Sequence, residues 1–271
     1  MIYRVLSAEP LLAAGAFAGP VLGLDTGSSI ARIGLVRDGR IVTSQARPVK
    51  SHGADLPAVV DEVLRAAGIG IHELSAVAVG TGPGSFTGLR VGLSYAKGLV
   101  TGNRMQIVGV PSLDAIALCG AGTLAAHPGI KICPILDARK GEVYTSLYDV
   151  VTDALQKEMD DLVVPLDELA SRITGEILFV GESKAEDARV LVARRGGRAT
   201  VAGTAELWHQ GGFIAALGAV RVARNDVDQA ATIEPSYIRA PVASVNSTAV
   251  NPGEGNHGTP RGRINPAARG S

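Results

Sequence analysis

The chain has 271 residues, of which 46% are hydrophobic and 19% are charged, and its 26 basic side chains balance 26 acidic ones. This neutral balance argues against independent, high-affinity binding of nucleic acid, which needs an excess of Lys and Arg. The length is sufficient to bury a core without metals or disulfides. The two cysteines, Cys119 and Cys133, have neither metal-ligand nor disulfide-framework spacing. No apolar run reaches the ~18 residues that span a bilayer.

The first 20 residues resemble a secretory signal only superficially. Residues 11–18 are apolar and end in Ala-Phe-Ala, but the preceding segment carries a single basic residue, Arg4, followed by Glu9 and Pro10. A core strand already begins at Val21. We therefore expect residues 1–20 to be an N-terminal extension with no assigned function, and the protein to be cytoplasmic.

Three strands, a helix, a strand and a second helix are predicted over residues 21–105. The strands at 21–24, 30–36 and 41–46 are joined by an Asp-Thr-Gly-Ser-Ser turn and an Asp-Gly hairpin. A helix follows, with Asp55 as its cap and Gly68 as its end. Its apolar positions recur at helical spacing: Leu56, Val59, Val60, Val63, Leu64 and Ala67. A strand at 76–79 then leads through a glycine-rich loop at 80–87 into a helix from 88 to about 101.

A second α/β unit is predicted from residue 106 to residue 242. It comprises a helix at 111–118, a strand pair at 131–136 and 142–148, a helix at 167–172, a strand at 177–180 and a helix at 205–224. From residue 243 the chain has no aromatic residue and is rich in Gly, Pro, Asn and Ser, which predicts a disordered tail over 243–271.

The order of these elements predicts the fold class. Three strands, a helix, a strand and a helix, occurring once and then loosely again, are typical of the actin, hexokinase and Hsp70 superfamily, also called ASKHA and RNase H-like. Its members have two α/β lobes, with mixed sheets flanked by helices, facing each other across a cleft. We expect this architecture here, with lobes at 21–105 and 106–242, although a fold does not assign a function.

The glycine-rich segment at 80–92 reads GTGPGSFTGLRVG. It is not a Walker A loop, because no Gly-Lys-Ser/Thr follows, and it is not Gly-x-Gly-x-x-Gly, because the third position falls on Thr87. Two interpretations stay open from the residues alone. The segment could be a tight turn in which Ser85 or Thr87 caps the next helix, or its free amides could bind an anion.

The helix after this loop carries small residues four positions apart. Two glycines in a helix cost about 1 kcal/mol each relative to Ala, which is tolerated most readily where another backbone comes close. The stripe could pack against the sheet, but Leu89 and Leu93 can serve the sheet on another face. We therefore expect this stripe and the helix at 55–67 to contact another subunit through Leu56, Val60, Val63, Gly88, Gly92 and Ala96.

A nucleotide site of the superfamily looks half complete in this sequence. In the first lobe, Asp25, Thr26 and Gly27 could still approach a phosphate. The corresponding turn of the second lobe, at 137–141, carries side chains where a phosphate needs bare backbone. No two histidines lie three to five residues apart, and no Gly-x-Ser-x-Gly is present. We therefore predict no catalytic residue and no metal site, and regard Ser85 and Arg90 as further anion or interface candidates.

Several segments together resemble the TsaB family. These are LDT at 24–26, His52, GPGSFTGLRVG at 82–92 with AKGL at 96–99, VGVPSL at 108–113, DARKGEVY at 137–144 and PSYIR at 235–239. The resemblance covers about residues 21–240. It implies an actin-like, non-catalytic subunit that pairs with its catalytic paralogue TsaD through the two N-terminal-lobe helices.

The same resemblance implies the wider function. TsaD and its partners, including the ATPase TsaE, transfer threonylcarbamoyl to N6 of adenosine 37 in tRNAs that read codons beginning with A. The chain alone would then bind no cofactor, would contact tRNA only indirectly and would form a homodimer, while ATP or ADP could sit at the complex interface. The alternative is a small-molecule kinase or ATPase of the same superfamily that uses Asp25 as its metal-associated carboxylate.

Overall fold

The computed structural model describes residues 2–4, 17, 19–48, 52–123, 127–151, 154–182, 184–202 and 206–238. In chain order the elements are β1 (Ile2–Arg4), β2 (Val21–Asp25), β3 (Ile30–Arg37), β4 (Arg40–Pro48), α1 (His52–Ala66), β5 (Ala76–Gly82), α2 (Phe86–Thr101), β6 (Gln106–Pro111), α3 (Ser112–Ala121), β7 (Ile130–Arg139), β8 (Glu142–Val151), β9 (Ala154–Pro165), α4 (Leu166–Arg172), β10 (Glu176–Gly181), α5 (Lys184–Arg194), β11 (Arg198–Val201) and α6 (Gln210–Ala223). Short 3₁₀ helices lie at Ile71–Glu73 and Glu206–His209.

The first sheet has the strand order β4-β3-β2-β5-β6. Strands β2, β3 and β4 are antiparallel, and β5 and β6 join them in parallel. The predicted lobe boundary at 105/106 is therefore wrong for β6, which we expected to open the second lobe. The reason is the register Ala76↔Gln106 to Gly80↔Val110 with β5, since the helix α2 between them makes an ordinary parallel crossover.

The second sheet has the strand order β1-β9-β8-β7-β10-β11. Its central pair β7 and β8 confirms the predicted strand pair, whereas β9, α5 and β11 were not predicted. Strand β1 pairs antiparallel with β9 from Ile2↔Gln156 to Arg4↔Ala154. The N-terminal extension thus supplies an edge strand, which the expectation of an unassigned extension missed. The predicted disordered tail at 243–271 lies outside the described residues.

Helices cover both faces of the first sheet. On one face, α1 and α2 pack over a core that includes Leu22, Leu24 and Val79. On the other face α6 lies so close that a Cβ on Gly23 would be 2.3 Å from the Ala215 amide nitrogen. Helix α6, predicted within the second lobe, therefore packs on the first sheet, because the glycines of β2 and β3 let its backbone approach.

The predicted helices are otherwise found close to their expected positions. Helix α1 begins at His52, so Asp55 lies in its first turn, where a carboxylate favours the positive end of the helix dipole, and is not its cap. Helix α2 begins at Phe86, two residues before the predicted Gly88. Helices α3 and α6 contribute to a core that also contains residues of both sheets. In the described part of the chain, no helix has the length and apolarity to cross a membrane.

Candidate functional site

The first predicted site residue, Asp25, ends β2 and is 4% exposed. Its Oδ1 accepts a hydrogen bond from the Gly27 amide at 2.8 Å, and its Oδ2 accepts one from Gln210 Nε2 at 2.8 Å. A Cβ on Gly80 would lie 2.6 Å from the carboxyl carbon of Asp25, so the β5 backbone closes a third side. Groups on β5, α6 and the loop after β2 therefore enclose this carboxylate.

The glycine-rich loop lies directly against the loop that follows β2. The Ser85 amide donates to the Gly27 carbonyl at 2.6 Å, and a Cβ on Gly84 would lie 2.5 Å from the same oxygen. The Ser85 hydroxyl accepts from the Gly88 amide at 3.3 Å. The tight-turn interpretation with Ser85 as the cap of α2 is therefore confirmed, and the amides of Gly27 and Ser85 both donate to protein oxygens and not to open solvent.

A buried arginine links this loop to the second sheet. The side chain of Arg32 on β3 is 4% exposed, and its Nη2 donates to Glu182 Oε1 at 2.6 Å. Its Nη1 donates to the Ser28 hydroxyl at 2.8 Å, while its Nε has no partner in the described part of the chain. Because a buried guanidinium is costly without a carboxylate, this pair ties the loop after β2 to the end of β10.

The small-residue stripe of α2 faces inward. Gly88, Gly92 and Ala96 are all buried. A Cβ on Gly88 would lie 2.0 Å from the Thr26 carbonyl oxygen, and one on Gly92 would lie 2.2 Å from Thr26 Oγ1. That hydroxyl in turn donates to the Gly88 carbonyl at 2.7 Å. The prediction that these three residues contact another subunit is therefore wrong, because the stripe exists to let α2 approach the end of β2.

The predicted contact residues of α1 also belong to the core. Leu56, Val60 and Val63 are between 0% and 2% exposed and pack with the first sheet. For Val60 and Val63 the prediction of partner contact is wrong for the same reason as for α2, because amphipathic periodicity identifies a buried face without saying what covers it. Leu56 packs in the same core but also reaches the outward side. The outward faces of the two helices are therefore the surface left for a partner.

An open groove of about 620 Å³ lies on that outward side. It is lined by Leu56, Phe86, Thr87, Arg90, Val91, Ser94 and Tyr95. Phe86 is 39% exposed, and the guanidinium carbon of Arg90 lies 3.9 Å from the centre of its ring. Of the predicted site residues, only Arg90 and the buried Leu56 reach this groove. We name this surface, from Phe86 to Tyr95 with Leu56 as its floor, the α1–α2 groove.

The described part of the chain contains potential metal ligands and both cysteines. Within the described residues, no group of three or more His, Cys, Asp or Glu side chains is placed to hold a metal ion. The side chain of His52 lies outside the described part of the structure. Cys119 and Cys133 are buried and unbridged, and burial raises the pKa of Cys133 to about 12. Cys133 is therefore a packed thiol and a poor nucleophile at neutral pH.

Comparison with known proteins gives matches to proteins of two names, TsaD and TsaB. A family model described as "TsaD: tRNA N6-adenosine threonylcarbamoyltransferase" matches residues 42–186, more than half of the chain. The tRNA threonylcarbamoyladenosine biosynthesis protein TsaB of Bacillus subtilis is 31% identical over 165 residues, which cover 59% of this chain and 70% of that protein. The Escherichia coli protein of the same name is 28% identical over 165 residues, which again cover 59% of this chain and 70% of that protein.

The chain belongs to the TsaB (YeaZ) family. A solved structure of YeaZ from Pseudomonas aeruginosa has a TM-score of 0.65 at 22% identity and covers 81% of this chain and 99% of that one. This similarity and the two mixed sheets flanked by helices confirm the fold class predicted from the element order. The resemblance to the TsaB family predicted from the sequence is confirmed by the relatives.

The structure shows several residues of the candidate site that the sequence of this TsaB-family chain did not indicate. Gln210 donates to Asp25, and Arg32, the strand partner of Asp25, pairs with Glu182. Tyr237 contacts Phe86 beside Arg90. One signal was available, because Arg32 interrupts an otherwise apolar strand and a buried charge needs a partner. The identity of that partner, 150 residues further along, could not be read from the spacing.

Proposed function

We propose that this TsaB-family chain is a non-catalytic partner subunit in the formation of N6-threonylcarbamoyladenosine at position 37 of tRNA. It binds and supports the catalytic paralogue TsaD, and works with the ATPase TsaE. The curated relatives are named for this pathway. The observation that carries the proposal is the α1–α2 groove, an apolar, aromatic-lined surface on the outward side of two packed helices.

The composition of the α1–α2 groove favours a protein as its occupant. Phe86, Val91 and Tyr95 offer apolar and aromatic area, and Thr87 and Ser94 offer hydroxyl groups. Interfaces between proteins are rich in aromatic residues and Arg at their centres. We propose that a helix of TsaD lies in this groove, and that a second copy of the chain occupies the same surface when TsaD is absent.

The surroundings of Asp25 support a non-catalytic role. A metal-associated carboxylate needs oxygens free to approach the ion or its waters. Both oxygens of Asp25 accept hydrogen bonds from protein groups, and the Gly27 amide that a phosphate would need is one of the donors. The small-molecule kinase or ATPase considered from the sequence therefore has less support here, and any ATP or ADP belongs at the complex interface in this proposal.

The role of tRNA in the proposal is indirect. With 26 basic and 26 acidic side chains the chain has no net charge at pH 7, counting His as neutral. Phosphate backbone binding draws its affinity from clustered positive charge. We propose that TsaD supplies most of the tRNA contact, and that the complex acts in the cytoplasm.

The experiment measures binding of purified TsaD from the same organism to the wild-type chain and to Ser94→Arg. Ser94 is exposed and lines the groove, so the larger side chain should leave the fold intact and weaken binding by at least about 10-fold. The matched control is Ser171→Arg, the same change at an exposed position of α4. Equal binding by wild-type and Ser94→Arg would reject this surface, and ATP hydrolysis by the purified chain alone would reject the non-catalytic role.

A further inference from the structure

Three side chains at one end of the α1–α2 groove form a single packed cluster. The guanidinium of Arg90 lies over the Phe86 ring, with 3.9 Å between its central carbon and the ring centre. Its Nε donates to the Tyr237 hydroxyl at 3.1 Å. The rings of Phe86 and Tyr237 are 5.3 Å apart and inclined by 31°. We name Phe86, Arg90 and Tyr237 the arginine cluster.

The cluster holds Arg90 through its Nε and through the face of its guanidinium. Cation–π contact and one hydrogen bond fix the plane of the guanidinium. Within the described ranges, Nη1 and Nη2 of Arg90 meet no carboxylate or carbonyl oxygen. An arginine with its terminal nitrogens free presents two parallel N–H donors, the geometry that matches a carboxylate. Because the side chain is already ordered, binding costs less entropy than with a free arginine.

Tyr237 is itself fixed by a segment that returns from the far side of the first sheet. Ile233 is buried in the core beneath α1 and α2. The Ser236 amide donates to the Thr81 carbonyl at 2.8 Å, where β5 leads into the glycine-rich loop. The segment 233–237 therefore places the Tyr237 hydroxyl beside Arg90, against two residues that line the groove.

The charges of the two helices favour an acidic partner. Helix α2 contains no Asp or Glu, and along its outward side Arg90 is followed seven residues later by Lys97. Of the three acidic residues of α1, Asp61 and Glu62 are paired within the chain, with Arg65 and Arg47 respectively. The third, Asp55, lies in the first turn, where the helix dipole favours a negative charge. Among the described residues neither Arg90 nor Lys97 has such a partner. A second copy of the chain would bring the same positive side chains, so it complements this surface less well.

We propose that the arginine cluster binds the carboxylate of an acidic side chain on the TsaD helix that lies in the groove, with Arg90 as the specificity-determining residue and Tyr237 as its positioning residue. This inference rests on the proposed function. It also assigns a role to the segment 233–237, which is far from α1 and α2 in the sequence: this segment orders the guanidinium of Arg90 at the docking surface.

The test compares TsaD affinity at low and at physiological salt for the wild type, Arg90→Lys and Tyr237→Phe. Arg90→Lys keeps the charge but loses the fork, and we expect about 10-fold weaker binding. Tyr237→Phe keeps the ring but loses the hydroxyl acceptor, and we expect about 3-fold weaker binding, unchanged thermal stability and a smaller loss of affinity with salt. Arg198→Lys, at an exposed residue on β11, is the matched control and should bind as wild type.

The outcomes separate the two proposals. If Ser94→Arg weakens TsaD binding while Arg90→Lys and Tyr237→Phe bind as wild type, the arginine cluster binds no carboxylate of TsaD. Arg90 and Tyr237 then only pack against Phe86, and this inference is wrong. If Ser94→Arg also binds as wild type, the proposed docking surface is wrong. If the two cluster variants weaken only self-association, the occupant is a second copy and the acidic TsaD partner is rejected.

Discussion

Two glycines of α2 allow the inward direction of its small-residue stripe to be tested with one chemical change. A Cβ at Gly98 would meet nothing within 4 Å, whereas a Cβ at Gly92 would lie 2.2 Å from Thr26 Oγ1. Replacing a helical Gly by Ala stabilises the helix by about 1 kcal/mol when the site is open. Gly98→Ala should therefore raise the free energy of unfolding by about 0.5–1 kcal/mol.

Gly92→Ala gains the same helix propensity, but its methyl group would overlap with the Thr26 side chain. Thr26 Oγ1 is held by its hydrogen bond to the Gly88 carbonyl, so α2 must shift or that bond must break. Overpacking of a core costs about 1–3 kcal/mol, and the buried Thr26 hydroxyl left without an acceptor costs a further ~1–3 kcal/mol. The net result is a loss of about 1–5 kcal/mol, so the two variants should differ by several kcal/mol.

Urea unfolding at 25 °C, followed by circular dichroism, measures this difference. The midpoint of Gly98→Ala should rise and that of Gly92→Ala should fall, with similar denaturant slopes. If both variants are equally stable, the stripe does not pack against β2. In that case the outward orientation, rejected above, would have to be considered again.

Three further predictions concern the buried groups and the single tryptophan. Burial raises the pKa of Cys133 from 9.0 to about 12, so between these pH values the folded state keeps a proton that the unfolded state loses. The free energy of unfolding, measured with urea, should therefore fall by up to ~1.4 kcal/mol per pH unit above pH 9. The fall should be less steep in Cys133→Ser. Glu182→Gln should lower the free energy of unfolding by about 1–2 kcal/mol, because Arg32 loses its carboxylate while Glu182 was 35% exposed, as measured by thermal and urea unfolding. Trp208, 60% exposed, should emit as a solvated indole and be quenched readily by acrylamide.

Each of these has an outcome that contradicts the structure. Identical alkaline slopes for wild type and Cys133→Ser would mean that the thiol is not buried in the folded state. Glu182→Gln as stable as wild type would mean that the pair with Arg32 forms no buried contact; Glu186→Gln, on the exposed surface of α5, is the matched control. A blue-shifted, unquenched emission would mean that Trp208 is covered.

The sequence predicted the elements better than their neighbours. The periodicity of α1 and the Asp-Gly hairpin are local signals, and both were found. The position of β6 was not local, because a buried parallel strand has the same apolar pattern in either sheet and only its pairing with β5 decides. Strand β9 was missed because four of its twelve residues are charged, and one of these, Glu158, finds its partner Lys131 on β7, far away in the sequence.

The candidate site shows the same limit. A glycine stripe costs the same helix propensity whether it faces a partner or the sheet, so the residues alone could not choose. The choice depends on Thr26, which lies 62 residues before Gly88 in the chain. Likewise Arg90 was identified as an interface charge, but its orientation depends on Tyr237, 147 residues away.

Transfer of threonylcarbamoyl to tRNA in a reconstituted reaction tests the central proposal most directly. TsaD, TsaE and tRNA would be supplied with threonylcarbamoyl-AMP, and modified adenosine would be measured with no added chain, with wild type, with Ser94→Arg and with Ser171→Arg. We expect modification with wild type and Ser171→Arg, and little modification without the chain or with Ser94→Arg. Equal modification in the absence of the chain, or with Ser94→Arg, would contradict a supporting role that acts through the α1–α2 groove.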